Sequence, residues 1–403
     1  MTRTVFTGGT VFDGTGSAPA SADVVVEAGR IVEIGPGLDG DEAVDCAGAT
    51  VLPGLFDCHV HVTMSTINPL ANLTRPFSLQ YYEAAENMRR TLAVGVTSVR
   101  DAGGADLGIQ TAQARGLIPG PRMRIAIGML SQTGGHADGW QVSGGEFRPT
   151  LPHPGRPSTL VDGPDEMRRK VRELIRAGAD VIKVATSGGV LSPRDDPRHG
   201  HFRDAEIAVL VEEATAAGIF VMAHAQASDG IKVAVRNGVR SIEHGIYLDD
   251  EAIGMMLDRG AWLVPTLVAP RGVIAAADAG MPVPETAVAK ARMVMEAHTD
   301  SVRRAVAAGV KVAMGTDSGV TPHGQNLREL PLMADCGMTP EQVLHATTLS
   351  AARLVGVDDG FGSIEPDKRA DLVIVDGDAR TLHDLDQRVR SVYQDGRLVS
   401  GRG

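Results

Sequence analysis

The sequence predicts an α/β protein: a (β/α)8 TIM barrel carrying a small β-sandwich formed by both chain ends. Three observations predict it. A helical stretch ending in glycine and running straight into an apolar strand recurs six times, at Gly95, Gly178, Gly218, Gly238, Gly260 and Gly309. Two further apolar runs, TVLPGLFDCHVHV and RMRIAIG, bring the strand candidates to eight. Short strands with turn glycines occupy the first ~50 and last ~45 residues only. Repeated αβ units build a parallel sheet, and eight of them close into a barrel.

In chain order, RTVFTGGTVFDG and ADVVVEAGRIVEIG open the sandwich, and ADLVIVDGD and SVYQDGRLV complete it. The expected boundaries are 1–53 with 358–403 for the sandwich and 54–357 for the barrel. Each of the six glycines is placed to end its helix at positive φ, which glycine tolerates without a Cβ clash. The preceding segments, such as DEMRRKVRELIRAG and DAEIAVLVEEATAAG, have helical periodicity. One long Gly- and Pro-rich loop, SQTGGHADGWQVSGGEFRPTLPHPGRPST, follows the third barrel strand. Loops of that length are often functional.

Composition narrows the function. A net charge of −11 and only 3% aromatic residues argue against nucleic acid, which wants basic patches and stacking platforms. No apolar run reaches the ~20 residues of a membrane span. Cys46, Cys58 and Cys336 are few and scattered, so a disulfide framework is not expected and a reducing cytoplasm fits. The expected assembly is a homo-oligomer acting on a small molecule.

The chemistry should lie where barrel strands run into the following loops. His59 and His61 end the first strand, and their spacing of two puts both on one face. His224 ends the fifth strand, His244 the sixth and Asp317 the eighth. Four imidazoles and a carboxylate at one mouth make a site suited to divalent zinc. The fourth strand, VIKVA, carries Lys183 inside a run that reads as fully buried. Burying a free ammonium is costly or lowers its pKa. Taken alone, the residue also reads as a snorkelling or salt-bridged lysine. Asp57 and Arg100 sit beside these positions and are candidates to orient the ligands.

GLFDCHVHV, MAHAQ, IEHG and MGTDSG, in this order, strongly resemble the strand-end motifs of the amidohydrolase superfamily. Lys183 places the resemblance in the binuclear branch. There the resemblance implies two divalent metal ions bridged by a carbamate that Lys183 forms with CO2. His59, His61 and Asp317 would hold the more buried ion, and His224 and His244 the other. Asp317 would also move the proton. His136, in TGGHAD, reads either as a loop hydrogen-bonder or, as the resemblance implies, as the group that polarises the substrate carbonyl.

TSGGVLSPRDDPRHGHF, IEHG and TPHGQNLREL look most like the Xaa-Pro dipeptidase (prolidase) and ochratoxinase branch. That implies hydrolysis of an amide in a dipeptide or N-acyl amino acid with a free carboxylate. Many relatives carry Gln at the position of His201 and Ser at that of Arg203. Arg194, Arg198, Arg203 and Tyr247 lie on loops that reach toward such a carboxylate, although Tyr247 reads equally as packing. Two other readings are a mononuclear ring hydrolase or deaminase of the imidazolonepropionase type, which generally lacks the strand-4 lysine, and a non-catalytic scaffold of the dihydropyrimidinase-related kind, which has lost ligands.

Overall fold

The computed structural model describes residues 2–401 except 69 and 147–149. Its centre is parallel β-structure. Strands β1 (Leu55–Val60), β2 (Val96–Asp101) and β3 (Arg122–Ile125) form one sheet. The second runs from the short strand Met129–Leu130 through β4 (Val181–Ala185), β5 (Phe220–Ala225), β6 (Ser241–His244) and β7 (Trp262–Val264) to β8 (Lys311–Val312). Backbone bonds link the sheets at both margins. Asp180 N–H donates to Ile125 O at one, and Cys58 N–H to Met314 O and His61 N–H to Ser318 O at the other.

The helices cover this sheet structure. In chain order the longer ones are α1 (Leu79–Ala93), α2 (Leu107–Ala114), α3 (Pro164–Arg176), α4 (Asp204–Ala216), α5 (Ser228–Arg236), α6 (Asp250–Arg259), α7 (Val268–Asp278) and α8 (Glu285–Ala308). Helix α3 shows why these segments are helical. Proline stands at its first turn with Asp165 and Glu166, and Arg176 lies in the last, which suits the helix dipole. Met167, Val171 and Leu174 form its buried stripe, and each such side chain contributes roughly 1.5–3 kcal/mol of burial. The helix stops before Gly178, whose φ is 99°. All six glycines of the repeated pattern have positive φ.

The chain ends supply two more sheets. One orders Arg30–Gly35, Asp23–Glu27, Arg3–Thr7 and Glu42–Asp45. The other orders Arg397–Gly401, Val389–Gln394, Leu372–Asp376, Ala49–Pro53, Thr10–Val11 and Ala20–Ser21. Phe6, Val24, Val51, Leu372 and Tyr393 meet in one apolar cluster, so both termini share a core.

Two expectations change in detail. TVLPGLFDCHVHV reads as one strand, but the chain leaves the terminal sheet after Pro53 and joins the central one at Leu55. The break falls at Gly54, where a Cβ would sit 2.1 Å from Thr97 Oγ1, so only glycine lets the backbone pass. After VAAG only Lys311 and Val312 form a regular strand. Residues 313–317 still bond to both neighbours but turn away to present Asp317 at a φ of 60°. The long loop after β3 contains 147–149, which lie outside the described residues.

Candidate active site

His59, His61, His136, Lys183, His224, His244 and Asp317 all line one pocket at the C-terminal ends of the parallel strands. The ligand atoms of His59, His244 and Asp317 lie within 4.8 Å of one another, close enough for one ion. His61 Nε2 is 3.3 Å from Asp317 Oδ1, and Lys183 Nζ is 3.4 Å from His59 Nε2. His224 and His244 sit with ring centroids 4.6 Å apart. His244, Thr266 and Asp317 have φ of 73°, 50° and 60°, the left-handed backbone that clusters at functional sites.

Oxygen acceptors on the far side of each ring set which nitrogen carries the proton. His59 Nδ1 donates to the Glu243 carboxylate at 2.8 Å, and His61 Nδ1 to Gly103 O at 2.7 Å. His224 Nε2 donates to Gly188 O at 3.1 Å. In the neutral rings the remaining nitrogens of His59 and His61 are lone pairs facing the Asp317 carboxylate. Acceptors set against acceptors require a shared cation, either a proton or a metal ion. Burial and the Lys183 charge push His59 well below its ordinary pKa, which disfavours the proton there, whereas at His61 burial is outweighed by the Asp317 carboxylate and the pKa is raised. His224 and His244 are pushed down in the same way, again mainly by burial. The donor set therefore fits a divalent metal centre.

Glu243 is fully buried and also pairs with Arg100 at 2.8 Å. Arg100 in turn donates to Cys58 O, the residue before His59. Asp57 accepts from Thr316 Oγ1 and Asn326 and from the His59 backbone N–H, so it ties β1 to the segment carrying Asp317. Sequence reasoning singled out Arg100 and Asp57 but missed Glu243. The available signal was a second charge, between Ile242 and His244, in a strand that reads as buried.

Lys183 is 1% exposed. Burial lowers its pKa to about 8, against the opposing pull of Glu243 and Asp317. Burial alone would raise the Asp317 carboxyl, but His59, His61 and Lys183 outweigh it and hold the group well below the usual range.

His136 stacks on His224 at 4.1 Å with an interplanar angle of 14°. Its Nδ1 lies 2.7 Å from Ser192 Oγ and 3.5 Å from Asp195. Gly189 makes room, since a Cβ there would be 2.2 Å from the ring. Lys290 of α8 pins the whole loop, with Nζ donating to Gly189 O at 3.0 Å and Ser192 O at 2.7 Å and meeting both the carbonyl and the carboxylate of Asp195. Lys290→Met is expected to leave a folded enzyme with kcat lowered about tenfold or more, within the ~100-fold that a 1 Å misplacement can cost. Steady-state kinetics beside a thermal melt checks it; an unchanged kcat would remove Lys290 from this role.

Two substrate-contact candidates are not brought to the pocket wall. Arg203 precedes α4, exposed, with its guanidinium on Phe202 O at 2.8 Å. Tyr247 packs against the cluster of Met64, Val190 and Ile246. His298 of α8, for which the sequence offered no motif, is buried and lines the pocket, donating to Pro265 O at 2.8 Å.

The amidohydrolase family profile matches residues 50–399. The ochratoxinase of Aspergillus niger is 32% identical over 380 residues, spanning 88% of this chain and 76% of that protein. A prolidase complexed with N-methylphosphonate-L-proline superposes with a TM-score of 0.91 at 37% identity, covering 99% of this chain and 100% of that one. A Xaa-Pro dipeptidase with bound methionine gives 0.90 at 32% identity, covering 98% and 99%. The chain belongs to the amidohydrolase family and is a hydrolase acting on amide bonds. No helix among the described residues is long and apolar enough to cross a membrane.

Proposed function

We propose that this enzyme hydrolyses the amide bond of a dipeptide or N-acyl amino acid bearing a free carboxylate. The observation that carries the reading is the acceptor-facing cluster of His59, His61 and Asp317 beside Lys183, in a pocket with one apolar flank. The prolidase, Xaa-Pro dipeptidase and ochratoxinase relatives support it, and two of them hold an amino acid or a proline derivative. We infer an eight-stranded barrel over 54–357 and a composite β-sandwich over 1–53 and 358–403.

His59, His61 and Asp317 would hold one ion, His224 and His244 a second, and a carbamate on Lys183 would touch both. Zinc suits this nitrogen and oxygen set. Such ions, when bound, lower the pKa of a water toward ~7 and polarise a carbonyl. Lys183 as the neutral amine adds to CO2, releasing one proton and leaving a carbamate anion. Asp317, held ionised, takes a proton from the attacking water and delivers it to the leaving nitrogen. His136 donates toward the substrate carbonyl oxygen as charge develops there. Glu243 and Gly103 O keep the His59 and His61 rings in one tautomer. Six filled ligand positions argue against a scaffold, and Lys183 against a mononuclear ring hydrolase.

The test compares matched substrates, an N-acyl amino acid and its C-terminal amide, within a screen of dipeptides and N-acyl amino acids. The acid should be preferred by well over ~tenfold in kcat/KM, because a site built for a charged partner leaves it unpaired with the amide. Equal rates on both, or activity confined to cyclic imides, would move the enzyme to another substrate class.

A further inference from the structure

The substrate class proposed above requires a cation to receive the carboxylate, and the four sequence candidates are engaged or misplaced. Arg194 lies over the Trp140 ring at 5.1 Å and Arg198 pairs with Asp196 at 2.7 Å, and both are exposed. Arg203 and Tyr247 are not on the pocket wall.

Among the described residues lining the pocket, the one guanidinium belongs to Arg156. It is 2% exposed. One terminal nitrogen donates to Leu151 O at 2.7 Å and Gln80 Oε1 at 3.4 Å, the other to Gly104 O. Its Nε is buried without a partner. No ion pair reaches Arg156 among the described residues. Asp106, Tyr81 and Asp101 act on it through charge without a hydrogen bond to it, and the two carboxylates accept other donors. Asp106 caps α2 through Ile109 N–H and faces His153 at 3.4 Å. Asp101 accepts from the N–H groups of Val62, Gly103 and Ala105. Asp138, also on the wall, is taken by Gly134 and Trp140 N–H. The hydrogen bonds of this buried cation go only to neutral oxygens, so none of its donors meets a carboxylate. A guanidinium is the group that matches a carboxylate in shape.

We propose that Arg156 is the anchor for the substrate carboxylate, an inference that rests on the free-carboxylate reading and names the residue that enforces it. The position is apt. Gly104 O holds the guanidinium, while the adjacent Gly103 O holds His61, so anchor and ligand cluster share one turn. The pocket flank formed by Val190, Ile246, Val273 and Val320 is left for an apolar group on the other half of the substrate. The substrate is therefore an N-acyl amino acid or dipeptide carrying its carboxylate on the Arg156 side and an apolar group on the other.

The experiment measures kcat/KM for N-acetyl-L-methionine and N-acetyl-L-methioninamide with wild type, Arg156→Gln and Arg156→Lys, with metal content assayed in each. Wild type should prefer the acid by well over ~tenfold. In Arg156→Gln the ratio should fall to within ~threefold of one, and inhibition by L-methionine should weaken at least ~tenfold. Arg156→Lys keeps the charge but loses the planar fork, and its ratio should fall at least ~threefold. Should the Gln variant not fold, the Lys variant carries the test. A wild-type preference that survives in the variants, or acid and amide falling by one common factor, overturns the anchor while leaving the substrate class standing. A wild-type ratio near one overturns the free-carboxylate reading itself, and the anchor with it.

Discussion

Asp317→Asn is expected to yield a folded protein whose kcat is at least ~100-fold below wild type, the loss typical of removing a general acid–base group. Size and backbone favour folding. Asparagine is close in volume and tolerates the positive φ of 60° at this position. The backbone bond from its N–H to His59 O needs no carboxylate. What disappears is the charge facing His59 and His61 and the oxygen that accepts a proton. Circular dichroism, metal analysis and kinetics on one sample separate folding from function. Near-normal turnover in a metal-replete Asn variant would remove Asp317 from the proton path.

Lys183 gives the second large effect. Lys183→Met keeps the side chain's length and apolar stem, so the buried site stays filled. It removes the amine and with it the carbamate, and metal content should fall from close to two ions per chain to one or fewer. Turnover should drop by more than the ~10–100-fold that loss of a ligand's supporting partner costs. Lys183→Ala opens space at the same point, where bicarbonate with a short-chain acid should restore part of the activity. One tightly held ion in wild type, with an unmodified Lys183 amine by mass spectrometry, would refute the bridging role.

Much of this was legible in the chain because it is local. A glycine at positive φ ends a helix whatever the helix packs on, so Gly95, Gly178 and Gly218 announce three strands. The spacing of two between His59 and His61 places both on the pocket side because strand side chains alternate. Lys183 stood out because a parallel strand covered on both faces reads as unbroken apolar sequence. Gly54 was legible only as a glycine; that it divides two sheets depends on Thr97 crossing there.

By itself, then, the sequence determined the rhythm of strands and helices, the kinds of side chain at the strand ends and the oddity of one buried lysine. These follow from periodicity and from the cost of burying charge, which act within a few residues. Tertiary structure alone decided that Glu243 holds His59 across 184 positions, that Lys290 fastens the Gly189 loop across 101, and that Arg156 lies on the pocket wall. The physical reason is that a hydrogen bond reaches about 3 Å. Which residues come that close is set by strand order, helix placement and the path of the returning loop, and no local pattern encodes that.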